Sequence, residues 1–213
     1  MSLTQQVPAP VVARPVTARV APGVLWPDLE PIGLDELNAK AELQTRVDRK
    51  YVVPLDQVTE LVGRVGTDTR ILQIKDIRVF QYESVYFDTA GLDSYLLAAR
   101  RRRRRYKVRT RTYVDSQLCL LEVKTRGPRG STVKTRLPYQ VQDRADLGPG
   151  EWFVDQTLRR EHITADPAAG FTPTLLTRYR RSTLLLPATT SRVTIDTDLV
   201  WTDGRGHRLH LPG

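Results

Sequence analysis

The chain has a single cysteine, Cys119, so no internal disulfide and no cysteine-based zinc cluster can form. Its three histidines, His162, His207 and His210, leave little room for a His-rich metal site. Aromatic residues make up only 7%, too few for an evident base-stacking platform. No apolar run approaches the roughly 18 residues that a membrane helix needs. The N-terminus shows no compact apolar stretch of the kind that marks a secretory leader. These scarcities exclude a disulfide scaffold, a cysteine metal cluster and a helical membrane protein. A reduced, cytoplasmic protein is the expectation, with a membrane partner left open.

What is present is positive charge. Among 213 residues, 33 Lys and Arg face 24 Asp and Glu, a net charge of +9. Such an excess favours an anionic partner. Apolar residues at 40% suffice for a real core. Residues 1–30 contain Pro8, Pro10, Pro15, Pro22 and Pro27 and no acidic residue before Asp28. That composition builds no periodic apolar face and is expected to form a disordered arm. Arg14 and Arg19 would also suit a transit peptide, against the plainer reading of a flexible extension. Residues 31–213 are expected to form the folded domain.

Hydrophobic spacing predicts a strand-rich body. A short helix is expected from Leu34, with Asp35 and Glu36 in its first turn. Alternation over 45–53 predicts a strand, and Leu55–Val65 has helical spacing ending at Gly66. Further strands are predicted over 77–88, 106–114, 117–126, 131–140, 174–186, 191–201 and 208–211. Helices are expected over 92–101 and 152–161. Asp88 and Thr89 read as the cap of the first of these. Tyr86 and Phe87 read as packing residues, and Trp152 and Trp201 as core. The fold class expected is α+β, mostly antiparallel β with peripheral helices.

Six consecutive arginines, Arg100 to Arg105, join a predicted helix to a predicted strand. A run of like charge repels itself and attracts polyanions. It reads either as a solvated basic edge or as a nucleic-acid contact. No zinc finger, helix-turn-helix or aromatic ribonucleoprotein motif accompanies it.

Successive side chains of a strand point to opposite faces. Arg46, Asp48 and Lys50 then share a face, as do Lys107, Arg109, Arg111 and Tyr113. Glu122, Lys124 and Arg126 align opposite Cys119, Leu121 and Val123; Lys134 and Arg136 align opposite Val133 and Leu137. Arg192, Thr194, Asp196 and Asp198 align opposite Val193, Ile195, Leu199 and Trp201. Antiparallel sheets often turn a polar face to water. Here that face is strongly cationic yet carries isolated carboxylates. Arginine and lysine lining a closed barrel would suit a highly charged anion, and a few carboxylates beside them could hold Mg²⁺ or Mn²⁺.

Six ordered segments carry a resemblance: R-V-D-R-K-Y (46–51), S-V-Y-F-D-T (84–89), K-V-R-T-R-T-Y (107–113), L-E-V-K (121–124), Y-R-R-S (179–182) and R-V-T-I-D-T-D-L (192–199). Together they resemble the VTC domain, the catalytic domain of vacuolar transporter chaperone polyphosphate polymerases and their bacterial relatives. That domain belongs to the triphosphate tunnel metalloenzymes. The resemblance implies a tunnel-type antiparallel barrel with charged walls. It implies transfer of the ATP γ-phosphate to a growing polyphosphate chain, with Mn²⁺ or Mg²⁺. By position, Lys50, Arg109, Arg111 and Lys124 correspond to catalytic tunnel residues. Arg46, Lys134, Arg178, Arg181 and Arg192 correspond to substrate-binding ones. Family members continue into a further strand bearing a metal-binding glutamate. This sequence ends in R-L-H-L-P-G with no such glutamate, so the barrel is expected to lack its C-terminal strand. Metal binding then falls to Glu122, Asp196 or Asp198. Two rivals stand beside the polymerase: a triphosphatase on the same fold, and a non-catalytic module binding polyphosphate or nucleic acid.

Overall fold

Period-two alternation builds the strands, and among the described residues more lie in strands than in helices. The computed structural model describes residues 29–40, 49–66, 68–127, 131–163 and 170–211. The expected N-terminal arm therefore lies outside the described residues up to position 28. In chain order the elements begin with β1 (Glu30–Ile32), α1 (Leu34–Lys40), α2 (Leu55–Arg64), β2 (Arg70–Leu72), β3 (Phe80–Asp88) and α3 (Asp93–Ala99). They continue with β4 (Tyr106–Tyr113), β5 (Leu118–Arg126), β6 (Thr132–Tyr139), α4 (Glu151–Arg160), β7 (Thr172–Leu186), β8 (Ser191–Asp203) and β9 (Arg208–His210). Pairing is mostly antiparallel, with β1 and β2 parallel, so the expected α+β class with a mainly antiparallel sheet holds.

The chain divides into two compact units. The first comprises Tyr82–Thr177 and Trp201–Leu209 among its described parts. Here β3, β4, β5 and β6 form consecutive antiparallel pairs. One face of this sheet carries Val85, Phe87, Val108, Leu121 and Val123, all buried. The helix α4 supplies Phe153, Val154 and Leu158 to the same core. Burying such side chains stabilises by about 1.5–3 kcal/mol each. Gly150, just before α4, has no room for a side chain, because a Cβ there would collide with Leu121 and Tyr139. That bare backbone lets the helix start press directly on the sheet. The loop after β6 is tied down from two sides. Thr110 Oγ1 donates to the Arg144 carbonyl at 2.6 Å, and Arg144 Nε donates to Glu83 at 2.8 Å.

The second unit contains β1, α1, α2, β2, Arg178–Leu186 of β7 and most of β8. β2 pairs antiparallel with β7 through Arg70–Leu185 and Ile71–Leu184. Ile32, Leu37, Leu72 and Leu185 form one cluster, and Val58, Ile71 and Leu184 another. Arg70 grips Glu36 of α1 with both terminal nitrogens, at 2.5 and 3.1 Å.

Three expectations need correction. Residues 49–54 form no strand, and Tyr51 and Val52 stand 76% and 87% exposed; residues 45–48 lie outside the described set. Apolar alternation there is not matched by a partner strand among the described residues. Trp152 and Trp201 are 58% and 39% exposed rather than core. The helix predicted over 92–101 is cut at both ends, because Leu92 and Arg101 adopt left-handed conformations with φ of 56° and 52°. The expected cap is present: Asp88 accepts from the backbone N–H groups of Thr89, Ser94 and Tyr95 and from the Ser94 hydroxyl. Among the described residues no helix is long and apolar enough to cross a membrane.

Candidate anion-binding site

The first unit turns its cationic face away from the apolar core. Register lines the charges into rows, since residues directly opposite in an antiparallel pair share a face. Tyr86 of β3 stands opposite Arg109 of β4, Arg109 opposite Glu122 of β5, and Glu122 opposite Arg136 of β6. The next row is all lysine: Lys107, Lys124 and Lys134. On the other side, Ser84 stands opposite Arg111.

Arg109 anchors the middle row. It is 5% exposed although fully charged, and Glu122 is wholly buried. Arg109 Nε and Nη2 both donate to Glu122 Oε2, at 2.8 and 2.6 Å. Its Nη1 donates to the Tyr86 hydroxyl at 3.0 Å. The other Glu122 oxygen accepts from Arg136 Nε at 3.2 Å, with Lys134 Nζ 3.9 Å away. One carboxylate thus holds several cations in place. Arg111 donates to the Ser84 hydroxyl at 3.4 Å, and its guanidinium lies 5.7 Å from the Tyr82 ring centre.

Burial pushes the Glu122 carboxyl up, but Arg109 and, behind it, Arg111 and Lys134 outweigh that and hold it down at about 2. Lys124 is driven the other way. Burial first, then the Arg109 charge and the other nearby cations, depress its ammonium to about 7 despite the opposing pull of Glu122. Burial also lowers Lys134, with Arg136, Arg111 and Arg109 adding to the effect against Glu122. Among the described residues no carboxylate lies within ion-pair distance of Lys107 or Lys124. Positive charge therefore exceeds negative charge across this face, and a multivalent anion would relieve the surplus.

The remaining expected site residues fall elsewhere. Lys50 is exposed in a segment without regular structure. Arg46 lies outside the described residues. Arg178, Arg181 and Arg192 belong to the second unit. There Arg181 clasps Asp196 with two hydrogen bonds of 2.6 and 2.7 Å, its guanidinium 5.1 Å from the Tyr179 ring centre. Asp198, at a left-handed φ of 54°, pairs with Arg180 at 3.6 Å. Arg192 donates to Asn38 at 3.4 Å.

These pairings decide the fit to a metal. Mn²⁺ and Mg²⁺ need several free oxygen ligands converging on one point. Both oxygens of Glu122 and both of Asp196 are engaged by arginine, and Asp198 pairs with Arg180. Among the described residues no three His, Cys, Asp or Glu side chains gather into a group able to hold an ion. The donor set does not fit a protein-built divalent site, so the expected roles of Glu122, Asp196 and Asp198 as a ligand set are not supported.

Four members of the face lay outside the expected site: Tyr86, Ser84, Lys107 and Arg136. Tyr86 is an arginine ligand rather than a packing residue. Face alternation within K-V-R-T-R and V-K-T-R carried a signal for Lys107 and Arg136. Ser84 and Tyr86 lie in the S-V-Y-F-D-T segment of the resemblance, but nothing in it marked them as partners of arginines 27 and 23 positions away.

Rows of arginine and lysine thus share one face of an antiparallel sheet. The VTC domain family matches residues 45–211, and the chain belongs to that family. No curated protein matches it in sequence. Among solved structures, it is similar to a candidate adenylyl cyclase from Hippeastrum described by its dominant triphosphatase activity. Identity is 14% and the TM-score 0.40, over 66% of this chain and 65% of that one. A candidate adenylate cyclase from Vibrio parahaemolyticus is similar at 13% identity and a TM-score of 0.38, over 68% of this chain and 63% of that one. The chain spans less than two thirds of either protein.

Proposed function

We propose that this chain binds the triphosphate of ATP together with a polyphosphate chain and transfers the terminal phosphoryl group between them. Family membership supports this reading, and one observation carries it: a buried Arg109, fixed by Glu122 and Tyr86, set beside Arg111 and beside Lys107 and Lys124, which no carboxylate among the described residues pairs with. Phosphoryl transfer needs little covalent chemistry from the protein; it depends on positioning and on charge stabilisation. A guanidinium locked before substrate arrives stabilises developing charge without reorganising. Lys107, Lys124 and Lys134 supply point charges for the remaining phosphate oxygens, and Arg111 a second fork. Substrate binding by Arg46, Lys50, Arg178, Arg181 and Arg192 is proposed from the family resemblance alone.

A second reading, triphosphate hydrolysis, has an observation of its own. The side chains of Lys134 and Arg136 are 33% and 46% exposed, so water reaches this edge of the face. Products separate the two. Incubation with ATP and Mn²⁺, followed by a gel stained for polyphosphate, yields long chains if the polymerase reading is right. Phosphate release without chains replaces it with hydrolysis. Arg109→Ala/Arg111→Ala loses turnover by about 10²-fold or more. Removal of divalent cations with EDTA leaves tripolyphosphate binding in place, because the cations that bind it are side chains; loss of binding in EDTA would show that a metal bridges instead.

A further inference from the structure

The arginine run is left over from that site, yet it is continuous with it. After α3, the backbone makes a fixed turn: Arg100 N–H donates to Leu96, Arg101 to Ala98 and Arg102 to Leu97, at 2.9, 3.1 and 2.9 Å. Arg101 holds a left-handed φ of 52°. Arg105 Nη1 closes the turn on the Arg102 carbonyl at 3.1 Å. Arg100 to Arg104 are exposed and Arg105 is half-buried. Among the described residues no carboxylate pairs with any of the six.

Their direction follows from β4. Tyr106 and Val108 point into the core, at 2% and 0% exposure. Alternation from those two places Arg105 on the same side as Lys107, Arg109 and Arg111. The column spans six residue steps, roughly 20 Å at about 3.3 Å per residue. A triphosphate, three tetrahedra long, covers only part of it. Six adjacent like charges are costly to hold together, and a linear polyanion removes that cost. The lysine row crosses the strands at the arginine end of β4, so Lys107 is where that row meets the column that leads along β4 to the turn.

We propose that the turn Arg100–Arg105 docks the distal phosphates of linear inorganic polyphosphates longer than three units, extending the triphosphate face above, on whose reading this proposal rests. The turn then acts as a length sensor: it adds affinity only for chains that reach past Lys107.

The test compares tripolyphosphate with a long-chain polyphosphate on the full chain, by titration at fixed ionic strength. Arg102→Gln/Arg103→Gln/Arg104→Gln loses about tenfold or more in long-chain affinity, with a shallower salt slope. Its affinity for tripolyphosphate stays within about twofold, since no phosphate of the short ligand reaches the turn. The corresponding triple Arg→Lys variant keeps most of the long-chain affinity, and thermal unfolding verifies that both variants fold. An unchanged long-chain affinity in the Gln variant overturns the proposal. So does single-stranded DNA of matched charge that binds the wild type as tightly and loses as much, which would make the turn a nucleic-acid contact. Failure of the underlying reading looks different: tripolyphosphate then fails to bind the wild type, or binds independently of Arg109 and Arg111, and the docking proposal falls with it.

Discussion

Glu122 is wholly buried, and its two oxygens serve Arg109, Arg136 and, at longer range, Lys134. A buried ion pair adds little net stability, because desolvation offsets the attraction; removing one partner is far worse. Glu122→Ala would strand the buried Arg109 charge and should destabilise the fold by about 3–5 kcal/mol, read from urea unfolding. Its carboxyl is held down at about 2, below its ordinary 4.5. The unfolded chain therefore binds more protons between those values, and this contribution to stability is lost as pH falls through that window. Lys124 titrates in a more useful range. Its ammonium sits at about 7 in the free protein, and a bound anion raises it. Above pH 7 the complex then takes up a proton that the free protein lacks. Tripolyphosphate affinity should fall with rising pH there, by up to about tenfold per unit. Ionisation of the ligand acts equally on any variant, so subtracting the profile of Lys124→Met isolates the lysine. Identical profiles in the two proteins would remove Lys124 from the binding face.

Elements depend on a few local anchors. Asp88 ends β3 and accepts three backbone N–H groups and the Ser94 hydroxyl, which fixes the start of α3. Asp88→Ala should cost about 2 kcal/mol, measured by chemical denaturation with an unchanged slope. A loss below a few tenths would show that Thr89, which accepts from the Asp93 N–H at 3.2 Å, suffices alone. This cap was legible in the sequence, as were β4, β5 and β6 to within a residue or two, because they alternate strictly. The short strands β1 and β2, three residues each, were not. Three residues carry too little periodicity to stand out; their pairing, not their composition, makes them strands. The segment before Pro54 failed in the opposite way, alternating well without forming a strand among its described residues. At the site, alternation placed Lys107, Arg109 and Arg111 on one face correctly. It could not align them with Glu122 or Tyr86, because cross-strand register depends on turns that sequence spacing leaves undetermined.

At the scale of the whole molecule, a net charge of +9 opposes compaction wherever cations crowd. Two effects of salt can then be separated. Without ligand, added salt screens repulsion among the cations and should raise the melting temperature. With tripolyphosphate at about 100 times its dissociation constant, binding to the folded state adds about 2.7 kcal/mol. For a chain of this size that corresponds to a rise of about 5–10 °C. The same salt weakens ligand binding, so the ligand-induced increment should shrink as the ligand-free melting temperature climbs. Arg109→Ala/Arg111→Ala removes the increment but retains the salt response of the free protein, because exposed arginines such as Arg100 to Arg104 remain. An increment that survives this double variant would mean that tripolyphosphate stabilises through diffuse surface charge. Its loss, with the ligand-free salt response intact, ties the stabilisation to the rows of β4, β5 and β6.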